Sequence, residues 1–273
     1  MKKILLPFIG HSYPGELLDF VKELNQRCKL FLTAAFIPDT DYAQLWPPGV
    51  AAGAKMYLPP TEEEEKVITR NRKRVGSFCE THEIRCRVRE DHFDFALSEI
   101  KKESRFADLL MISSHHFFDN ISNRQPNSYM SATLHDAECP VMLLPDQPHL
   151  PGEIVLAYDG TAASVHAIRQ FDYLFPEFAN IRTTLVYIDQ QEKGGIPEEA
   201  MIRELGAAHF RNFRMLHLKM NTDQFYTTWI GMMSDPWLVA GAFGRSEFST
   251  LLSHSFIHKM IREHNALLFV AHQ

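Results

Sequence analysis

The stretch EIVLAYDG, Glu153–Gly160, joins a short apolar run to a polar Asp-Gly ending. A similar apolar run, KILLPF, occupies Lys3–Phe8, about half a chain length earlier. Two more pairs of apolar runs recur in the same order, namely Leu32–Ile37 with Thr183–Ile188 and Leu109–Ser113 with Trp237–Gly241. Self-similarity of this kind predicts that the chain is built from two copies of one domain.

Segments with the periodicity of amphipathic helices separate these apolar runs. Thr61 is a helix-start signal, because Glu64 stands at the third position of a capping box. Strands alternating with helices predict βαβ units and a parallel sheet covered on both faces. For the first copy we expect strands near 3–9, 30–37, 84–89, 108–113 and 140–144 and helices near 15–27, 62–82, 92–104 and 127–137. For the second we expect strands near 153–158, 182–188, 214–219, 237–241 and 266–271 and helices near 162–173, 197–212, 222–233 and 253–264.

The boundary between the copies is predicted at Pro145–Gly152, where three prolines make a stiff connection. The predicted domains are therefore residues 1–146 and residues 152–273. The first carries an extra Pro/Gly/aromatic stretch, Tyr42–Pro60, which the second lacks. A long stretch of this kind is either a binding element or a flap over the core of its own domain, and the flap is favoured.

Composition excludes several classes of protein. The chain has 273 residues, of which 45% are hydrophobic and 23% charged, so it is not a disordered chain. Its net charge of −6 argues against binding to nucleic acid or to an anionic membrane. No apolar stretch approaches the length of about 20 residues that spans a bilayer. The apolar run at the N-terminus is short and interrupted by Pro7, so a cytoplasmic protein is expected.

The polar residues of interest follow the first and fourth strands of the second copy. Ligands of open parallel sheets bind beyond the carboxyl ends of the strands, where the strand order reverses. Asp159 follows the first strand there, while Gly241 and Gly244 follow the fourth and Ser255 opens the next helix. A helix N-terminus attracts anions, and glycines let the backbone approach a ligand closely. A Gly-x-x-Gly turn alone is weak evidence, since most such turns are structural.

The order and spacing of these residues resemble the universal stress protein family. The opening Asp159-Gly160-Thr161-x-x-Ser164 and the later Gly241-x-x-Gly244-x9-His254-Ser255 are similar to the family's nucleotide motif, Gly-x2-Gly-x9-Gly-Ser/Thr. The resemblance covers nearly the whole chain as a tandem pair. It implies two Rossmann-like (adenine nucleotide alpha hydrolase-like) α/β domains, each with a five-stranded parallel sheet and helices on both faces.

The resemblance also implies ATP as the cofactor, in the second domain only and accompanied by Mg²⁺. Gly241, Gly244 and Ser255 would line the phosphates, and Asp159 and Tyr187 would flank the adenosine. His254 stands where the family has glycine. Its imidazole would either block the phosphate path or, when protonated, pair with the anion.

The first copy departs further from the motif. No aspartate follows its opening strand, and Ser113-Ser114-His115-His116 replaces the glycines after the fourth. Only Asn127-Ser128 is left of the phosphate turn. We therefore expect this half not to bind ATP in the family manner.

The histidines and cysteines give little reason to expect a metal or a reactive thiol. His254 and His258 stand four apart, but no third ligand is placed by sequence, so no metal is predicted beyond Mg²⁺ with ATP. The four cysteines form no CxxC pair, so neither a disulfide framework nor a zinc site is expected. Cys139 is expected to be buried and unreactive.

The function predicted from the resemblance is nucleotide-linked regulation during stress. No catalytic residue is identified, so slow ATP hydrolysis is the most that is expected of it as an enzyme. The competing interpretation is an ATP-independent interaction module with vestigial pockets that acts through a partner protein or a small ligand. The resemblance further implies that the fifth strands, Val141–Leu144 and Leu267–Ala271, pair edge to edge as an intramolecular pseudo-dimer, with a homodimer of two chains as the other arrangement.

Overall fold

The structure is a computed structural model, and it describes residues 1–9, 12–37, 61–89, 96–113, 134, 136–188, 194–218, 229–241 and 266–271. All statements about the fold refer to these residues. Tyr42–Pro60 and the expected helix near 253–264 lie outside them.

The first half of the chain alternates strands and helices as expected. Its elements in chain order are β1 (Lys2–Ile9), α1 (Gly15–Arg27), β2 (Leu30–Ile37), α2 (Glu62–Thr81), β3 (Arg85–Val88), α3 (Ala96–Ser104), β4 (Leu109–Ser113) and β5 (Val141–Leu144). The predicted capping box is present, because the Thr61 hydroxyl accepts from the Glu64 amide while the Glu64 carboxylate accepts from the Thr61 amide. This reciprocal bond sets the start of α2.

The second half repeats the pattern. Its elements are β6 (Glu153–Tyr158), α4 (Ala162–Leu174), a 3₁₀ turn (Pro176–Phe178), β7 (Arg182–Ile188), α5 (Glu199–His209), β8 (Asn212–Leu218), β9 (Pro236–Gly241) and β10 (Leu267–Ala271). The 3₁₀ turn was not predicted. It places Phe178 in the core, and Pro176 at its first position suits a helical start. The expected helix near 197–212 is shorter than predicted, since β8 begins at Asn212 and pairs there with Arg182 of β7.

All ten described strands form one sheet in the order β3-β2-β1-β4-β5-β10-β9-β6-β7-β8. The neighbouring pairs are parallel except β5 with β10, which is antiparallel, with Met142 opposite Phe269. The α/β fold class is thus confirmed, and so is the expected pairing of the two fifth strands. Each half contributes five strands in the same relative order. The division into two domains at Pro145–Gly152 stays a prediction.

Apolar side chains cover both faces of this sheet. Ile154, Leu156 and Tyr158 of β6 pack on the face shared with α1, α2, α4 and α5, whereas Val155 and Ala157 pack on the opposite face. The strands in the middle of the sheet are buried on both sides, which explains their continuous apolar runs. In the part of the chain that the structure describes, no helix has both the length and the hydropathy to cross a membrane.

Contacts beyond the sheet also join the two halves. Trp237 of β9 is fully buried, with its ring 6.2 Å from that of Phe20 on α1. The Trp237 indole donates a hydrogen bond to the carbonyl of His149 in the linker. Lys2 of β1 forms an ion pair with Glu177 at 2.7 Å. The first helix of one half is therefore packed on a strand of the other.

Candidate functional site

The carboxyl ends of β7, β6 and β9 bring three of the predicted site residues to one edge of the sheet. The strand order reverses between β6 and β9, since β7 and β8 lie on one side of β6 and β9 and β10 on the other. Asp159 follows β6, Gly241 ends β9 and Tyr187 lies near the end of β7. This is the topological switch point at which open α/β sheets bind ligands.

Asp159 shapes the turn that begins α4. Its Oδ1 accepts hydrogen bonds from the Thr161 amide at 2.9 Å and the Thr161 hydroxyl at 2.6 Å. Thr161 in turn caps α4 by accepting from the Ser164 amide at 3.3 Å. Gly160 has a φ of 82°, which favours glycine. One oxygen of the predicted ligand-binding carboxylate is thus used to hold the helix start, and the side chain is exposed.

Gly241 lies directly against the first turn of α4. A Cβ placed on it would come within 2.6 Å of the Ala163 carbonyl carbon and 2.7 Å of the Ser164 amide nitrogen. Real Cβ atoms do not approach backbone atoms so closely, so the contact requires glycine. From the sequence we expected this glycine to allow a ligand's close approach, whereas in the structure the approaching group is the protein's own helix.

A buried tyrosine, Tyr158, links the end of β6 to the segment before α5. The Tyr158 hydroxyl donates a hydrogen bond to the Pro197 carbonyl at 2.9 Å, which ties the segment before α5 to the end of β6. Burial raises the pKa of Tyr158, and the carboxylates of Glu198 and Asp159 raise it further, so the donor stays protonated. Sequence reasoning missed this bond, because its partners are 39 residues apart.

Tyr187 lies on the same face, beside Tyr158. The two residues pair in register on β6 and β7, and their ring centroids are 6.5 Å apart. On its other side the Tyr187 ring is 5.4 Å from that of His217 on β8. The half-buried Tyr187 ring therefore forms part of an aromatic row across the strand ends.

An open groove of about 370 Å³ adjoins this turn on the outer side of α4. It is lined by Gly160, Thr161, Ala162, Val165, His166, Arg169 and Glu198. The first turn of α4 contains no acidic residue, but the Asp159 carboxylate accepts from the N-cap residue Thr161, and Glu198 lines the groove. Arg169 adds a positive charge to the lining, so an anion in this groove would lie beside charges of both signs.

Comparison with known proteins rests on structure alone. No family model matches the sequence, and no curated protein matches it. A universal stress protein from Archaeoglobus fulgidus DSM 4304 superposes with a TM-score of 0.69 and 14% identity over 99% of this chain and 98% of its own. A functionally unknown protein from Pseudomonas aeruginosa PAO1 superposes with a TM-score of 0.57 and 12% identity, over 100% of this chain and 92% of its own. A candidate universal stress protein from Pseudomonas aeruginosa UCBPP-PA14 superposes with a TM-score of 0.57 and 11% identity, over 100% of this chain and 93% of its own.

The chain has the universal stress protein fold. The match extends over both halves, so the resemblance read from the motif agrees with the backbone. At these identities the likeness fixes the fold, and the site must be argued from this chain's own residues.

Three predicted residues of the site, Gly244, His254 and Ser255, lie outside the described residues, as does His258. Their proposed contacts with phosphate stay a prediction. Within the ranges that the structure covers, no group of three or more His, Cys, Asp or Glu side chains could hold a metal ion.

The switch point of the first half lies between β1 and β4, and its chemistry differs. Pro14 precedes α1 and makes no side-chain capping bond, and Glu16 stands in the first turn. Ser113, with a buried side chain, ends β4 in the place of Gly241. Both helix starts have a carboxylate, which is Glu16 in the first turn of α1 and Asp159 bonded to the N-cap residue of α4. The expectation that the first half does not bind ATP in the family manner stays a prediction.

A second groove, of about 460 Å³, runs along α2 in the first half. Arg70, Lys73 and Arg74 line it, and the Arg74 guanidinium lies 3.6 Å from the centroid of the Tyr13 ring. Ser77, Phe78, Thr81 and His82 complete its walls. Helix α2 thus presents a basic surface that also contains the aromatic rings of Tyr13 and Phe78, on a protein of net negative charge.

Proposed function

We propose that this chain is a tandem universal stress protein that binds an adenine nucleotide in its second half and acts in regulation. The observation that carries the proposal is the meeting of Asp159 and Gly241 at one switch point. Asp159 follows β6 and Gly241 ends the neighbouring β9, and between them lies the start of α4, whose first turn has no acidic residue of its own. Anions bind at helix starts of this kind.

Each residue has a defined part in the proposed complex. Asp159 keeps Oδ1 on Thr161 and offers its second carboxylate oxygen to a ribose hydroxyl. Gly244 and Ser255, by their motif positions, would contribute backbone and hydroxyl donors to the phosphates, with Mg²⁺ accompanying them. His254 would add positive charge when protonated.

We also propose that the protein is cytoplasmic and that two whole chains form a homodimer, in addition to the pairing of the two halves within one chain. The four cysteines are free thiols, which suits a reducing compartment. The β5·β10 pairing joins the halves within one chain, so a dimer of chains would have to use other surfaces.

The test is an equilibrium titration with a fluorescent ATP analogue, preceded by mass spectrometry of the denatured protein to detect nucleotide carried through purification. Asp159→Asn keeps an oxygen for the Thr161 turn but loses the charged acceptor for ribose. Because a hydrogen bond to a charged group contributes about 1.5–3 kcal/mol, we expect its affinity to fall about tenfold or more.

The matched control is Asp146→Asn, which removes an exposed carboxylate from the linker. It should bind the analogue like the wild type. Absence of saturable binding in folded wild-type protein, or an equal loss in both variants, would overturn the assignment of the nucleotide to this site.

The second candidate function is an interaction module that works without ATP. Two observations favour it: the glycine at 241 is already required by the contact with α4, and the groove along α2 offers a basic surface. An acidic partner peptide or protein is the chemistry that this groove fits.

The two functions are separated by pairing the same titration with a second variant. Arg74→Ala removes the guanidinium over Tyr13 without touching the second half. Under the nucleotide proposal Arg74→Ala leaves analogue binding unchanged. Under the interaction proposal the analogue does not bind, and Arg74→Ala weakens binding of an acidic probe peptide.

A further inference from the structure

The turn between α2 and β3 brings together two cysteines that the sequence shows as unrelated. Helix α2 ends at Thr81, and the Ile84 amide donates to the Cys79 carbonyl at 2.8 Å, so the chain reverses within a few residues. Glu83, with a φ of 54°, makes the reversal. Cys86 on β3 is thereby placed beside the last turn of the helix.

Helix α2 packs on β3, and the side chains of Cys79 and Cys86 lie in the same apolar cluster there, close enough for each thiol to shift the pKa of the other. Cys79 belongs to the buried core, and Cys86 packs against that core from β3, where it alternates with exposed Arg85 and Arg87. Strand β3 is the outermost strand at this end of the described sheet, and Cys86 is half-buried. Cys86 is therefore the member of the pair that is open to a small solute, since Cys79 is only 2% exposed.

The interaction gives the two thiols pKa values that differ from that of a single buried thiol. Hydrogen bonding from Cys86 lowers the pKa of Cys79, whereas the same bond together with burial raises the pKa of Cys86. A thiolate stabilised in this way is the reactive form of cysteine. The other two cysteines offer the contrast, because burial raises the pKa of Cys139 to about 12 and also raises that of Cys28.

We propose that Cys79 and Cys86 are an oxidation site at which hydrogen peroxide forms a reversible disulfide between the end of α2 and the edge strand β3. A thiolate of the pair attacks one peroxide oxygen, the O–O bond breaks, and the sulfur becomes a sulfenic acid as hydroxide leaves and is protonated. The second thiol attacks that sulfur, the S–O bond breaks, and water leaves. In sum, two thiols give up two electrons and two protons, and one peroxide becomes two waters.

Disulfide formation here does not depend on nucleotide binding in the second half, and it can be tested on the purified full chain. The folded protein is treated with hydrogen peroxide, denatured, alkylated and digested with trypsin. Cleavage after Arg74, Arg85 and Arg87 separates Val75–Arg85, which carries Cys79, from the dipeptide Cys86–Arg87. The expected product is these two peptides joined, with the loss of two hydrogens, and their separation by dithiothreitol.

The same experiment contains its controls. The thiol titre in denaturant should fall from four to two, with Cys28 and Cys139 still alkylated. Cys86→Ser should prevent the cross-link and leave Cys79 as a sulfenic acid trapped by dimedone, whereas Cys28→Ser should form the cross-link like the wild type.

Three results would overturn the proposal. These are full alkylation of Cys79 and Cys86 after peroxide treatment of folded protein, equal oxidation of all four cysteines, and conversion of the pair to sulfinic or sulfonic acids without a cross-link. Each is read from wild-type protein, so the test holds even if a serine variant fails to fold.

Discussion

The two switch points of the sheet are built on the same strand order but begin their helices in different ways. In the second half, Asp159 and Thr161 form the turn and cap α4, and Gly241 allows β9 to end against the helix backbone. In the first half, α1 starts after Pro14 with no side-chain cap and carries Glu16 in its first turn. The difference teaches that one topology can begin equivalent helices with a side-chain cap in one half and without one in the other.

The largest expected effect comes from filling the close contact in the second half. Gly241→Ala would force a Cβ against the backbone of Ala163, and overpacking of this kind costs about 1–3 kcal/mol in the free energy of unfolding. Ser113→Ala, at the equivalent strand end of the first half, should cost about 1 kcal/mol or less, since a Cβ is already present there. Urea denaturation of both variants measures the difference. Equal losses would show that the two strand ends are packed alike.

Removing the cap of α4 should have the next largest effect. Thr161→Ala loses the bond to the Ser164 amide and the hydroxyl bonded to Asp159, and a lost N-cap costs about 0.5–2 kcal/mol. Thr161→Ser keeps the hydroxyl and should stay near the wild-type stability. In the first half, Ser12→Ala should change stability by less than about 0.5 kcal/mol, because α1 has no side-chain cap to lose. A loss for Ser12→Ala as large as that for Thr161→Ala would contradict the contrast between the two helix starts.

The smallest effect is a pH dependence specific to the second half. Because the folded-state pKa of Tyr158 is raised above that of a free tyrosine, its contribution to stability is complete below about pH 10 and is lost as pH rises further. The first half has Phe8 at the corresponding place and no such group.

The substitution Tyr158→Phe isolates the contribution of the Tyr158 hydroxyl to the free energy of unfolding. The stability difference between wild type and Tyr158→Phe should be smaller when unfolding is measured at about pH 11 than at about pH 8, because the pKa of a free tyrosine, about 10, lies between these two values. Tyr173→Phe, which changes an exposed tyrosine of α4, controls for general alkaline effects. A difference between wild type and Tyr158→Phe that does not change with pH would show that the phenol is not protected.

The sequence predicted the strands because buried parallel strands are continuous apolar runs with clear ends, as in Leu30–Ile37 and Glu153–Tyr158. It predicted the start of α2 through the capping box of Thr61 and Glu64, whereas the capping role of Thr161 at α4 was not predicted. The 3₁₀ turn at Pro176–Phe178 was missed, although Pro176 itself was a usable signal, since proline favours the first position of a helical turn.

At the site, the sequence placed Asp159, Tyr187 and Gly241 at neighbouring strand ends, since order along the chain and parallel pairing determine that edge. It could not show why residue 241 must be glycine, because the reason is a helix backbone more than 70 residues earlier. The Tyr158–Pro197 bond and the Cys79–Cys86 contact were missed for a similar reason. Each depends on how a turn folds back, which composition and spacing do not reveal.

The antiparallel pairing of β5 with β10 has a consequence for assembly. The eight residues of Pro145–Gly152 link the two halves covalently, so each edge strand meets its partner at a local concentration set by the linker and not by the amount of protein in solution. The continuous sheet therefore survives dilution, and its midpoint of unfolding should be the same at any protein concentration. A sheet joined between two separate chains would instead come apart as the protein is diluted.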